Sequence, residues 1–273
     1  MDNDLLFRDG IHPMVRACEL VGERWASAVC PVYVNPEKRS VTAQGLGTMF
    51  VGAIDGKLYL VTADHVIAAS QSYEFRVLHL QGRAVDTVHM NFQGSQSCDI
   101  AVHEMNAFTS PTLVGGLYKH IPIAEDLSGW TETGIFSLLG YPSTKNVLKA
   151  RFGSTNRHAF NIIATRISNP SRRTQIENAF ALEYSPRNAT DGAGAKINPP
   201  DLHGMSGGPC IELMLKQNPD GWSLRAKLKG VITEYHPQDR QIIVSPISNA
   251  ISSRLFEGPP HDLPDGLRGA GDP

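Results

Sequence analysis

The chain has 273 residues, 41% hydrophobic and 19% charged, with 25 Gly and 18 Pro, enough to bury a sizeable core as one large domain or two smaller subdomains. Its formal net charge of −2 provides no broad positive field for a polyanion, so nucleic acid is not an expected partner. No apolar run reaches the ~18 residues that a membrane span needs, so no membrane insertion is expected.

Residues 1–10 are polar, and the first element follows them. From Pro13 to Val21 the apolar positions Val15, Cys18 and Val21 recur every three residues, and Pro13 suits a first helical turn. The spacing predicts a short helix outside the main body. From Ala28 onward the texture changes to short β-prone runs separated by Gly, Pro and polar turns. Strands are expected at Val29–Val34, Thr48–Gly52, Leu58–Thr62, Phe75–Leu80, Ala84–Met90 and Ile100–Glu104. A second set is expected at Ile135–Gly140, Ala159–Thr165, Ala179–Tyr184, Pro209–Leu213, Lys227–Thr233 and Ile242–Pro246. Turn residues such as Asp55-Gly56, Gln81-Gly82 and Gly140-Tyr141-Pro142 bound these runs. Many short strands at this spacing point to antiparallel sheets closed into barrels. Asn249–Leu255 reads as a terminal helix, and the tail from Gly258, rich in Pro, Gly and Asp, as a flexible end.

The four cysteines, at 18, 30, 98 and 210, form no CxxC pair and no zinc-finger spacing. Met1-Asp2-Asn3-Asp4 is not followed by a basic stretch, an apolar run and a small-residue cleavage site. Sparse cysteines and no visible leader predict a soluble protein of a reducing compartment, the cytoplasm. The pair Arg172-Arg173 reads as a solvated loop.

Three segments carry chemistry. His203-Gly204-Met205-Ser206-Gly207-Gly208-Pro209 places a serine among glycines ahead of an apolar run. A serine nucleophile needs a tight turn beside backbone N–H groups that hold a developing oxyanion, and glycine permits that backbone. Alone, such a string could be an ordinary turn into a strand. Lys57-Leu58-Tyr59-Leu60-Val61-Thr62-Ala63-Asp64-His65-Val66 reads as the second strand of a hairpin that delivers His65 at its end, a rigid place for a general base. Cys98-Asp99-Ile100-Ala101-Val102 sets a carboxylate before a β run, where it can accept the proton of the far imidazole nitrogen. Asp86 competes for that role, but its place within an alternating strand predicts a solvated side chain.

Taken together, these segments resemble the chymotrypsin/trypsin-like serine peptidases. The order His65, Asp99, Ser206 is that family's order, unlike that of subtilisins or α/β-hydrolases, and the gaps are 99 − 65 = 34 and 206 − 99 = 107 residues. The resemblance spans about residues 28–256. It implies an all-β fold of two packed antiparallel six-stranded barrels, about 28–120 and 130–256, with a short N-terminal helix in an extension over 1–27, a C-terminal helix and a tail over 257–273. It implies a triad of His65, Asp99 and Ser206, with the amides of Gly204 and Ser206 as oxyanion hole. Lys229–Tyr235 looks like the strand beside the specificity pocket. Asp201, His203, Thr233, Glu234 and Tyr235 are the candidate substrate-binding residues. Asp201 is either a contact for a basic substrate side chain or a solvent-exposed loop aspartate, and the second reading is preferred.

Departures from the secreted enzymes are informative. Val66 stands where secreted members have a cysteine, and Met205 where zymogen-activated members have an aspartate. Both features resemble the disulfide-poor prokaryotic branch, as does Gly140–Asn146, to which no chemistry is assigned. They imply no activation by N-terminal cleavage. The expected activity is serine endopeptidase, acting on a protein or peptide substrate without metal or cofactor. The rival is a catalytically silent module of the same fold that binds peptides or partner proteins. Nucleotide binding through Gly45-Leu46-Gly47 is disfavoured because a β run, not a helix, follows. A metal hydrolase is disfavoured because no HExxH occurs. The connections 104–134 and 166–200 look long and irregular, and no lid role is assigned to them.

Overall fold

The computed structural model describes residues 13–35, 42–74, 76–80, 83–105, 118–143, 148–149, 159–171, 174–184, 201–219 and 221–257. Expectations for residues 1–10, Gln81-Gly82, Arg172-Arg173, the tail from Gly258 and much of the two long connections lie outside these residues.

Helix α1 (Pro13–Trp25) starts where Pro13 predicts and runs one turn beyond Val21. Cys18, Val21 and Trp25, spaced three and four apart, form its buried face. Asn161 fastens the helix to the rest of the molecule: its side-chain amide donates to the Cys18 carbonyl at 2.6 Å, and its Oδ1 accepts from Ser137 Oγ at 2.6 Å. A Cβ on Gly22 would lie only 2.6 Å from that amide nitrogen, so glycine is what lets the helix approach.

The first sheet is built from β1 (Val29–Val34), β2 (Thr42–Ile54), β3 (Lys57–Thr62), β4 (Arg76–Leu80), β5 (Arg83–Asp86), β6 (Gln93–Ser95) and β7 (Ile100–Glu104). Their order is β5-β4-β1-β2-β3-β7-β6, and two short strands, β8 (Ile121–Pro122) and β10 (Leu148–Lys149), add to β2. Asp55 and Gly56, at φ 50° and 76°, make the tight turn between β2 and β3 that the Asp-Gly pair predicts. The second sheet closes fully as β11-β12-β15-β14-β13-β9, from β9 (Thr131–Gly140), β11 (Phe160–Arg166), β12 (Phe180–Glu183), β13 (Pro209–Asn218), β14 (Gly221–His236) and β15 (Gln241–Pro246). The protein is therefore mostly β, a curved half-barrel followed by a closed six-stranded barrel. The first barrel differs from the expectation in that its end strands β5 and β6 are not paired with each other among the described residues.

Other boundaries differ for physical reasons. The strand expected to reach Met90 ends at Asp86, whose Oδ1 accepts the Val88 N–H at 2.8 Å and turns the chain. Hairpin β13–β14 is much longer than the expected strands, because ladder pairing continues to Asn218↔Gly221 through largely exposed residues, Trp222 and Leu224 among them, that lie outside the core. After β3 the chain does not stop at a turn: it enters α2 (Asp64–Ser70).

The interior of the barrel is filled by Phe136, Leu138, Ile162, Leu182, Ile232, Ile242 and Val244. A larger cluster fills the half-barrel and continues through α1 to Leu139, Ile211, Leu213 and Val231 of the second sheet, so the two sheets share a packed boundary. The chain end crosses back from the second sheet to the first. After α3 (Ile247–Ser252), the Phe256 carbonyl accepts from Tyr59 Oη at 2.6 Å and its ring meets Tyr59 edge-on at 5.1 Å.

Candidate active site

Pairing of β3 with β7 brings His65 to Asp99. The register sets Thr62 opposite Ala101, so continuing it places Asp64 opposite Asp99, and the Asp64 N–H donates to the Asp99 carbonyl at 3.2 Å. His65 lies in the first turn of α2, not at a strand end as its sequence predicts. The helix begins at once because Ala63 is already extended and its carbonyl accepts the Val66 N–H at 3.1 Å. Asp99 then receives two hydrogen bonds from one residue. His65 N–H donates to Oδ1 at 3.0 Å, and the imidazole Nδ1 pairs with Oδ2 at 2.7 Å. Asp99 adopts the left-handed region, φ 48°, which aspartate tolerates better than most residues.

Electrostatics around His65 favour its charged form. Burial lowers the imidazole pKa, but the hydrogen bond and charge of Asp99, with the nearby charges of Glu234 and Asp64, outweigh it and raise the value. Asp64 is itself raised, by burial first and then by the Asp99 charge. Its carboxylate packs on Gly94, where a Cβ would overlap Oδ1. Glu234 belongs to the second sheet, so His65 already senses the other half of the molecule.

Ser206 sits on the turn that leads into β13. Gly204 and Gly207 have φ of 92° and 89°, backbone that other residues rarely adopt. A Cβ on Gly207 would overlap the Thr48 carbonyl and Thr62 Oγ1, so the turn lies directly on the strands leading to His65. The Ser206 carbonyl accepts the Thr48 N–H at 2.8 Å. The Ser206 hydroxyl, however, donates to the Thr233 carbonyl at 3.0 Å, and no hydrogen bond joins it to His65.

The backbone around Ser206 is oriented by its neighbours. The His203 carbonyl accepts from Ser143 N–H at 2.7 Å, and the Gly204 carbonyl accepts from Thr48 Oγ1 at 2.7 Å. Thr48 Oγ1 also accepts the Tyr141 N–H at 2.9 Å. A trans peptide points its N–H opposite its carbonyl, so fixing the His203 carbonyl on Ser143 directs the Gly204 N–H the other way. The Met205 carbonyl, held by the Gly208 N–H at 2.9 Å, does the same for the Ser206 N–H. Neither N–H has a partner among the described residues. Two unpaired donors beside a serine hydroxyl are what an oxyanion site requires. Thr48, Tyr141 and Ser143 were not singled out from the sequence as site residues. Their role depends on contacts up to 156 positions away, for which no local pattern exists.

The remaining candidates separate. Asp201 Oδ1 pairs with His203 Nδ1 at 2.7 Å, and both side chains are largely exposed. Thr233 Oγ1 donates to the Ile243 carbonyl at 3.1 Å. Glu234 accepts from Thr174 Oγ1 at 2.9 Å and pairs with His236 Nε2 at 2.7 Å, two partners the sequence did not indicate. The Tyr235 ring meets both Tyr184 and His203 edge-on, with centroids at 6.1 and 6.4 Å. Burial, then the Asp201 charge, raises the Tyr235 phenol. Met205 is buried in the apolar barrel interior, where the glycine of position 140 leaves it room.

A small cavity lies beside Ser206, lined by Leu138, Leu202, Met205, Ile232, Tyr235 and Ile242; Asp201 does not line it. A larger groove of about 630 Å³ runs between α1 and hairpin β13–β14 and contains none of His65, Asp99 and Ser206. Among the described residues no group of three His, Cys, Asp or Glu side chains could hold a metal ion. No helix there is long and apolar enough to cross a membrane. All four cysteines are buried and unpaired. Burial pushes the Cys18 and Cys30 thiols up to about 12, which keeps them from acting as thiolates.

No family model and no curated protein matches the chain. Among solved structures it is similar to one described as "Aromatic interactions drive the coupled folding and binding of the intrinsically disordered Sesbania mosaic virus VPg protein". The similarity has a TM-score of 0.45 at 13% identity and covers 84% of this chain and 95% of that chain. A likeness at that level bears on neither chemistry nor partners.

Proposed function

We propose that the chain is a chymotrypsin-like serine endopeptidase that cleaves protein or peptide substrates through an acyl-enzyme. The observation that carries this reading is the pairing of His65 with Asp99 at 2.7 Å, next to a serine turn whose Gly204 and Ser206 N–H groups have no partner among the described residues. With Nδ1–H committed to Asp99, Nε2 is left as the basic nitrogen. Rotation of the Ser206 side chain away from the Thr233 carbonyl frees its hydroxyl for that base. Catalytic hydrogen bonds are commonly loose without substrate and tighten when it binds.

In the proposed reaction Ser206 Oγ attacks the scissile carbonyl while His65 Nε2 takes its proton. The Gly204 and Ser206 amides receive the oxyanion, and His65 then protonates the leaving amine. Water enters by the same route and releases the acyl group, with Asp99 holding the imidazolium throughout. A buried Met205 in place of an aspartate supports a site that forms without N-terminal cleavage, since no charge there needs a new amino terminus. The four buried, unpaired cysteines support a reducing compartment.

A silent binding module is the second reading, and one observation favours it: the Ser206 hydroxyl rests on Thr233 and not on His65. A fluorophosphonate separates the two. Covalent labelling of the intact chain, lost in Ser206→Ala and accompanied by peptide cleavage, is the expected result. A folded chain that neither labels nor cleaves would leave only the binding module.

A further inference from the structure

We infer that the site accepts only a small, uncharged side chain on the residue whose carbonyl is attacked, and that Tyr235 sets this limit. The inference rests on the peptidase reading and specifies its substrate class. A carbonyl carbon within reach of Ser206 Oγ, with its oxygen toward the Gly204 and Ser206 amides, brings its neighbouring side chain to the cavity that Ser206 lines. That cavity offers about 10 Å³ to the centre of a water molecule, room for about one water. An alanine methyl is of that order, whereas a phenyl ring or a lysine stem must displace a wall.

The walls have little freedom to move. Leu202, Met205 and Ile242 are buried at 3%, 1% and 1% exposure, and close-packed interiors yield poorly to added volume. Besides Ser206 itself, Tyr235 is the half-buried wall among the described residues, and the rings of Tyr184 and His203 lie 6.1 and 6.4 Å from its own. Charge is disfavoured as strongly as size. Among the described residues no carboxylate lines the cavity, and Asp201, the candidate partner for a basic side chain, pairs with His203 in solvent. A lysine or arginine driven inside would lose its hydration without an opposite charge to replace it.

The test uses the full chain with diphenyl phosphonates bearing alanine-, phenylalanine- or lysine-type side chains, read by intact mass against time. A simple fluorophosphonate without such a side chain reports the competence of Ser206 independently. The alanine-type probe is expected to label at least about tenfold faster than the other two, the order of discrimination a tight apolar pocket gives. In Tyr235→Gly the ratio of phenylalanine-type to alanine-type labelling should rise at least about tenfold. Tyr235→Ala and a thermal melt serve as a second variant and a check that the fold survives. Fluorophosphonate labelling with equal or faster wild-type reaction of the phenylalanine- or lysine-type probe would overturn the inference and leave the peptidase reading intact. No labelling by any probe would overturn both.

Discussion

Replacing Thr48 with valine keeps the shape of a fully buried side chain while deleting its hydroxyl. That hydroxyl donates to the Gly204 carbonyl at 2.7 Å and accepts the Tyr141 N–H at 2.9 Å, so valine strands one acceptor and one donor away from water. Each buried polar group left unpaired costs ~1–3 kcal/mol, which makes a loss of at least ~2 kcal/mol the expected result. For a chain of this size that lowers the melting temperature by ~4–8 °C. The same change releases the Gly204 carbonyl, which belongs to the peptide lying between the two that carry the Gly204 and Ser206 N–H groups, so both are held less firmly. Losing an oxyanion donor outright costs ~10²–10³ in turnover, so a loosened one should cost less, about tenfold, in kcat with little change in KM. Thr48→Ser retains the hydroxyl and should recover most of the kcat and part of the stability. Thermal unfolding and steady-state peptide cleavage on both variants measure these effects. A valine variant that melts with the wild type and turns over at the wild-type rate would refute the reasoning. So would a serine variant that loses as much kcat as valine.

Two further predictions concern charge. His65 must be neutral to act as a base, so kcat/KM should rise with pH through a value above the ordinary 6.5 of histidine. The same raised pKa contributes to stability in the opposite sense: fully present below the unfolded value and lost as pH rises through the folded one. Asp99→Asn should move the acidic limb to lower pH and cut turnover by about 10⁴; a pH–rate profile whose acidic limb stays in place would contradict the assigned coupling. In the barrel wall, Glu212 is fully buried, with Oε1 accepting the Gly134 N–H at 3.0 Å and Oε2 facing Lys229 Nζ at 3.3 Å without hydrogen-bond geometry. Lys229 also pairs with Glu132. Lys229→Met leaves the Glu212 carboxylate uncompensated and should destabilise by ~3–5 kcal/mol in urea unfolding, largely restored by adding Glu212→Leu. Equal stability of the single variant and the wild type would show that the pair carries nothing.

The strands at Val29–Val34 and Ile100–Glu104 were legible to the residue, because the first ends at Asn35-Pro36 and the second opens directly after Asp99 with Ile100-Ala101-Val102. Helix α2 was not. It has seven residues, and among them only Val66 and Ser70 are buried, too few for a periodic signal. Asp201, preferred on sequence as a loop aspartate, is largely exposed and pairs with His203 two positions on, a contact the sequence did not indicate. Gly140–Asn146, assigned no chemistry on sequence, contributes the Ser143 N–H that holds the His203 carbonyl.

What the amino-acid order determined alone was whatever a few adjacent residues decide: short strands, the Asp-Gly turn, glycines at φ near 90°, and the sequence of His65, Asp99 and Ser206. The β3–β7 register then needed only two strands to bring imidazole and carboxylate together. The tertiary structure decided the rest: which carbonyls Thr48 and Ser143 hold, where the Ser206 hydroxyl rests, and how little space remains beside Tyr235. Those outcomes depend on how two sheets pack, and packing sums weak contacts between residues far apart in the chain, which no local pattern records.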